Sequence, residues 1–146
     1  MTKDHLVEAL ELFKSGFHCS QSVFSVFSEE LGLKKETALK ISCPFGGGLG
    51  GYGKTCGALT GGMMVIGLKL GSSETSDTDA KTQSKEKTRA LIETFEKKHG
   101  SSVCNDLVGL DRGNTMGADL MALLPYFFNT CPKYLETVVS FLEEEL

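Results

Sequence analysis

The chain has 146 residues and a mass of 15.7 kDa, enough for one domain that buries its own core without disulfide staples. Its net charge of -4 and its lack of a basic run argue against binding to nucleic acid or to an anionic membrane surface. A hydrophobic fraction of 40% and a charged fraction of 23% are typical of a globular protein, so small molecules or other proteins are the expected partners.

The first three helices are predicted from apolar residues at helical spacing. They cover 6–15, 19–31 and about 34–42, and they end at Gly16, at Gly32 and before Pro44. A glycine-rich loop follows, and residues 55–70 are then apolar without alternation, which predicts a buried central helix.

The rest of the chain is also predicted to be helical. A polar linker over 72–78 precedes a long charged helix over 79–99. A short helix ends at Val108, another covers 120–128, and the last begins around Pro132. We find no convincing strand and no repeat, so we predict a single all-α domain over 1–146, a bundle of about six to seven helices.

Four glycines interrupt the predicted central helix, namely Gly57, Gly61, Gly62 and Gly67. Each costs about 0.8 to 1.0 kcal/mol relative to alanine in a helix interior. Gly57 and Gly61 lie on one face, where missing side chains let another backbone or a cofactor approach closely. Tight helix packing is the favoured interpretation.

The first residues carry charges at short intervals and lack the apolar run of a secretory signal peptide. Both of the longest uncharged stretches, 55–68 and 120–132, are shorter than the roughly 20 residues that cross a bilayer. We therefore expect a cytoplasmic protein without membrane insertion. In a reducing compartment, its five cysteines suggest thiol or metal chemistry rather than a disulfide scaffold.

Cysteines recur at the starts of the predicted helices. Cys19, Cys56, Cys104 and Cys131 each fall in or beside a first turn. Unpaired N–H groups and the helix dipole stabilise a thiolate there, and a thiolate is both a redox nucleophile and a ligand for soft metals. Buried cysteine also serves as a small apolar filler, so structural packing is the alternative.

The segment Cys56-Gly57-Ala58-Leu59-Thr60-Gly61 resembles the signature of the C_GCAxxG_C_C family of redox-active proteins. The resemblance also covers GFHCSQSV around Cys19, the lead-in FGGGLGGYG, CNDLVG with Cys104, and the late Cys131 and Pro132. It implies four characteristic cysteines, which are the four at the predicted helix starts. Cys43 is then an extra.

Our main hypothesis is that these four cysteines converge at one site, where they carry out thiol redox chemistry or bind a metal. In the redox case we expect Cys56 to be the attacking thiolate and Cys19 the resolving partner. In the metal case all four would hold a zinc ion or an iron–sulfur centre, and the cofactor stays open. This hypothesis implies a small-molecule or protein redox partner, and it is compatible with a homo-oligomer. A helical interaction domain with packed cysteines is the alternative.

A lesser alternative is nucleotide or anion binding by the glycine-rich loop. Residues 48–55 satisfy the P-loop pattern GxxxxGK[ST], with Gly48, Gly50, Gly53 and Lys54 as candidate binding residues. The pattern is permissive where most positions are glycine, and the parallel strand of a true P-loop is missing.

Three further polar residues have an ordinary and a functional interpretation. His18 adjoins Cys19 and is a candidate base, proton donor or metal ligand, or a plain turn residue. Asp111 and Arg112 are expected to form a surface ion pair, with ligand contact as the alternative.

Overall fold

Nine α-helices account for most of residues 4–146, the part of the chain that the structure, a computed structural model, describes. These residues contain one isolated bridge pair and no strand, so the predicted all-α class is confirmed. Short 3-10 turns cover Glu29–Leu31, Cys43–Phe45 and Arg112–Asn114. The helices are α1 (His5–Ser15), α2 (Cys19–Ser28), α3 (Lys35–Ser42), α4 (Gly57–Leu70), α5 (Thr78–His99), α6 (Cys104–Val108), α7 (Gly117–Ala122), α8 (Leu124–Thr130) and α9 (Pro132–Glu145).

Capping residues in the sequence explain where several helices begin and end. Asp4 and Asp77 accept hydrogen bonds from backbone N–H groups in the first turns of α1 and α5. Gly16 and Gly100 end the same two helices in the left-handed conformation, which glycine adopts without steric cost. The polar segment 72–78 connects α4 to α5, with Thr78 already the first residue of α5.

The single helix predicted over 120–128 is wrong. The chain instead forms α7 and α8, which meet at Leu123 and Leu124. Pro125 explains the break, because proline lacks an N–H donor and its ring collides with the carbonyl four residues earlier in a continuous helix. As the second residue of α8 it is harmless.

Helix α4 lies at the centre of the molecule and packs against α2, α5 and α9. Its residues from Gly57 to Gly62 are buried, as are Val65 and Ile66. A helix without a polar face is stable only when neighbours cover it on all sides. The predicted central buried helix is therefore present, although it begins at Gly57 because Thr55 pairs with Val103.

Glycines on α4 let α2 approach closely, as predicted. A Cβ at Gly61 would lie 2.7 Å from the Ser20 carbonyl oxygen and 3.1 Å from the Val23 Cβ. A Cβ at Gly57 would lie 3.2 Å from the Cys19 Cβ. Gly67 differs, because its Cβ would meet nothing within 4 Å. The contact between α2 and α4 thus fixes the position of the first turn of α2.

Alanine at Gly61 should therefore destabilise the protein, whereas alanine at Gly67 should stabilise it. Gly61→Ala forces the α2 backbone outward, at an overpacking cost of about 1 to 3 kcal/mol in the free energy of unfolding. Gly67→Ala only improves helix propensity, by about 0.8 to 1.0 kcal/mol. Urea denaturation followed by circular dichroism measures both. Equal effects of the two substitutions would contradict the close packing of α4 on α2.

Candidate functional site

Backbone pairing brings the start of α4 next to the start of α6. Thr55 and Val103 form an isolated antiparallel bridge. The Cys56 N–H donates to the Ser102 carbonyl at 2.9 Å, and the Cys104 N–H donates to the Lys54 carbonyl. These bonds join two segments that are almost fifty residues apart in sequence. They hold Cys56 and Cys104 at one end of the bundle.

The other two cysteines reach the same end from different helices. Cys19 is the first residue of α2, and Cys131 caps the start of α9 at its junction with α8. Together with Cys56 before α4 and Cys104 at the first position of α6, all four occupy helix starts, as predicted. Cys43 is exposed at the end of α3.

All four cysteines line one small cavity, which we call the thiol cavity and which Arg112 and Tyr134 also line. Its volume is about 30 Å³. This is close to the volume of one water molecule in the liquid, so an organic substrate does not fit inside. The convergence of the four side chains agrees with our main hypothesis and not with the scattered sulfurs expected of an interaction domain.

Cys19 and Cys131 both line the thiol cavity, and a hydrogen bond between their thiols couples the pKa values of the two. This hydrogen bond lowers the pKa of Cys131, and the positive charges of Arg112 and Lys133 lower it further against the opposing effect of burial. The same hydrogen bond, together with burial, raises the pKa of Cys19 well above its usual range. Cys131 is therefore the acidic thiol of the pair.

The pKa of Cys56 shifts in the opposite direction to that of Cys131. Burial raises the pKa of Cys56 to about 12, although the backbone N–H groups of Ala58 and Leu59 stabilise its thiolate. A raised pKa disfavours the attacking role predicted for Cys56, because less of the thiolate is present at neutral pH. Burial also raises the pKa of Cys104, against the positive charge of Arg112. Both thiols are protonated at neutral pH.

Arg112 belongs to the site, which the expectation of a surface ion pair with Asp111 missed. Its guanidinium carbon lies 4.4 Å from the centre of the Phe127 ring, and its backbone N–H donates to Asn105 Oδ1 at 2.8 Å. Asp111 Oδ2 instead accepts from the Asn114 amide. The local sequence gives no signal for this, because Phe127 lies fifteen residues further along the chain.

His18 caps the start of α2 through its backbone and packs its ring against Gly46. Burial lowers the pKa of His18, and the nearby charge of Arg112 lowers it further. The imidazole is therefore neutral at pH 7. It adds no positive charge to the surroundings of the thiols.

The glycine-rich loop is a left-handed coil in which most of the amides already donate to carbonyls of the loop and its lead-in. The N–H groups of Gly50, Gly53 and Lys54 donate to the carbonyls of residues 44, 47 and 48 at 2.8, 3.0 and 2.8 Å. A phosphate cradle needs free N–H groups, and three of the four candidate residues already use theirs, which disfavours nucleotide binding. Gly48 and Gly53 are needed for packing instead, since Cβ atoms there would collide with Cys104 and Asn105.

The four cysteines do not fit a metal site. Within residues 4–146, no three His, Cys, Asp or Glu side chains are spaced to hold a metal ion. The water-sized space of the thiol cavity also leaves no room for an iron–sulfur cluster. The predicted zinc or iron–sulfur ligation by Cys19, Cys56, Cys104 and Cys131 thus finds no support in their arrangement.

Among the described helices, none is long and apolar enough to span a membrane.

Comparison with known proteins identifies the family. Curated proteins and solved structures give no match to the chain. A family model with the description "Putative redox-active protein (C_GCAxxG_C_C)" matches residues 17–145. Because this match covers nearly the whole chain, the protein belongs to the C_GCAxxG_C_C family.

Proposed function

We propose that this protein exchanges thiols with disulfides, with Cys131 as the nucleophile and Cys19 as the resolving thiol. The placement of the two thiols carries the proposal, because Cys19 and Cys131 line the thiol cavity together and their interaction favours the charge on Cys131. The interaction between the two thiols raises the pKa of Cys19 and lowers that of Cys131, so Cys131 is the more acidic thiol. A thiolate beside a protonated thiol is the state from which a dithiol reduces a disulfide.

The reaction follows the usual two displacement steps. The Cys131 thiolate attacks one sulfur of a substrate disulfide, which forms a mixed disulfide and expels the first substrate thiolate. Cys19 then loses its proton to solvent and attacks the Cys131 sulfur, which expels the second thiolate. Two electrons have passed to the substrate, and the protein holds a Cys19–Cys131 disulfide. An external dithiol returns it to the reduced state by the reverse exchange.

Cys56 and Cys104 take no nucleophilic part at neutral pH. Their raised pKa values keep them as uncharged thiols in the wall of the thiol cavity. An uncharged wall matters, because a second thiolate beside Cys131 would repel the first and raise its pKa. We assign the redox partner to small molecules or proteins that bear a disulfide.

The acidity of Cys131 should depend on the hydrogen bond from Cys19. We expect the pKa of Cys131 to lie below that of an ordinary thiol. In Cys19→Ala it should rise, because the donor is lost, whereas Cys19→Ser keeps a hydroxyl donor and should retain most of the lowering. The measurement is the rate of Cys131 alkylation by iodoacetamide against pH, followed by peptide mass spectrometry.

Cys43→Ala is the matched control for these variants, because Cys43 is exposed and lies outside the thiol cavity. It should leave the profile of Cys131 unchanged. A Cys131 pKa at or above the ordinary value in the parent protein would falsify its role as nucleophile. An identical profile in Cys19→Ala would remove the hydrogen bond as its cause.

Removing the resolving thiol should trap the mixed disulfide. After one equivalent of an aryl disulfide, Cys19→Ser should retain a substrate adduct on Cys131, while the parent protein releases both substrate thiols and gains an internal disulfide. Intact-mass and peptide analysis under acid quench distinguish these products. Cys43→Ser should behave like the parent. An adduct found on Cys56 instead would restore the role first predicted for that residue and contradict the present assignment.

A further inference from the structure

A second and larger cavity opens on the Cys19–Cys131 pair. We call it the aromatic cavity, since its walls include Phe13, Phe17, Phe127 and Phe128. Its volume is about 200 Å³, and both Cys19 and Cys131 line it. The thiol cavity has only water-sized space, so a substrate that reaches the Cys131 sulfur has room in the aromatic cavity.

One charged side chain lines the aromatic cavity, and it is a cation. Arg112 is the only lysine, arginine, aspartate or glutamate among its lining residues. His18 also lines the cavity, but burial lowers the pKa of its imidazole and leaves the ring neutral at pH 7. Among the residues the structure describes, no carboxylate forms an ion pair with Arg112.

The guanidinium of Arg112 has an unused donor. Its Nε atom is buried and makes no hydrogen bond. The planar group stacks over Phe127 at 4.4 Å, which restricts its orientation. A guanidinium has five N–H groups, so the part of Arg112 that lines the cavity can donate to a carboxylate while its charge also stabilises the Cys131 thiolate.

The volume limits the ligand to a small one. A cavity of about 150 Å³ lined by apolar side chains accommodates benzene. About 200 Å³ therefore has room for one ring, or a branched alkyl group of that size, together with a carboxylate. It is too small for most drug-sized ligands, whose pockets start at roughly 300 Å³.

We propose that the aromatic cavity binds one half of the substrate disulfide, namely a small aryl or branched alkyl group that carries a carboxylate. The apolar part lies among the phenylalanine rings, and the carboxylate accepts hydrogen bonds from Arg112. This inference rests on the proposed disulfide exchange for the identity of the substrate. Binding of the carboxylate itself does not require any redox step.

Calorimetry of the full-length protein with benzoate tests the cavity directly. Benzoate should bind about tenfold or more tightly than benzyl alcohol, which lacks the charge, and than acetate, which lacks the ring. In Arg112→Gln, benzoate and benzyl alcohol should bind equally. Arg89→Gln is the matched control, because Arg89 is exposed on α5, and it should bind benzoate like the parent. Equal affinity of the parent for all three probes overturns the proposal.

Two further variants distinguish a failure of the cavity proposal from a failure of the proposed disulfide exchange. Leu120→Trp should fill the aromatic cavity and abolish benzoate binding without changing its charge. Cys131→Ser should bind benzoate normally, so a failure of the proposed exchange leaves this result intact. Unchanged benzoate binding in Leu120→Trp places the ligand elsewhere and overturns the proposal.

A rate comparison tests the substrate assignment. The parent protein should reduce dithiodibenzoate faster than diphenyl disulfide, an aryl disulfide without the carboxylate, by about tenfold or more, and Arg112→Gln should reduce that preference. Equal rates with the two disulfides would overturn the substrate class, even if benzoate binds.

Discussion

The chemistry of this protein depends on a competition between burial and local stabilisation at each thiol. A helix start stabilises a nearby anion by about 0.3 to 1 kcal/mol, and by about 2 kcal/mol in favourable buried geometries. One pKa unit corresponds to about 1.36 kcal/mol, so this effect lowers a pKa by little more than one unit. Full burial raises the pKa of a thiol by up to about 3 to 5 units. Burial therefore prevails at Cys56, whose pKa rises to about 12 despite two amide donors. Cys131 differs because a thiol donor and two cations act together on its sulfur.

Glycine places the thiols close enough for this competition to matter. Gly57 lets the Cys19 Cβ approach α4, and Gly48 lets the loop pass against the Cys104 Cβ, where an added Cβ would lie only 2.7 Å away. Gly53 makes the same room for the Asn105 side chain. The loop thus satisfies a phosphate-binding pattern for a reason unrelated to phosphate. Gly48 and Gly53 are required by close packing, and most of the amides donate to carbonyls within the coil.

Local signals in the sequence predict much of the fold and the membership of the site. Capping glycines and apolar spacing place most helices within two residues, and the four cysteines fall at helix starts as expected. The break before Pro125 was also a local signal, and the prediction of one helix over 120–128 overlooked it. The close approach of Gly57 and Gly61 to α2 follows from their shared helix face.

What the sequence does not reveal depends on contacts between distant segments. The order of the thiol pKa values follows from the burial of each sulfur and from the groups that contact it. The neighbouring residues in the sequence indicate neither of these. The local sequence favours a thiolate at Cys56, yet the pKa of Cys56 is raised and that of Cys131 is lowered. Arg112 reaches the cavities only because Asn105 fixes its backbone and Phe127 supports its guanidinium. From the sequence alone, Arg112 cannot be distinguished from any other charged residue in a loop.

The same contacts impose an order on the two proposed displacement steps. While Cys131 is a thiolate, Cys19 keeps its proton, because the hydrogen bond to Cys131 is the largest cause of its raised pKa. Once Cys131 enters the mixed disulfide, its sulfur loses its charge and becomes a poor acceptor. The hydrogen bond and the repulsion that opposed ionisation of Cys19 are then both weakened, and burial alone remains against it. Cys19 thus becomes easier to ionise at the moment when its attack is needed, and the pair does not compete for the same substrate.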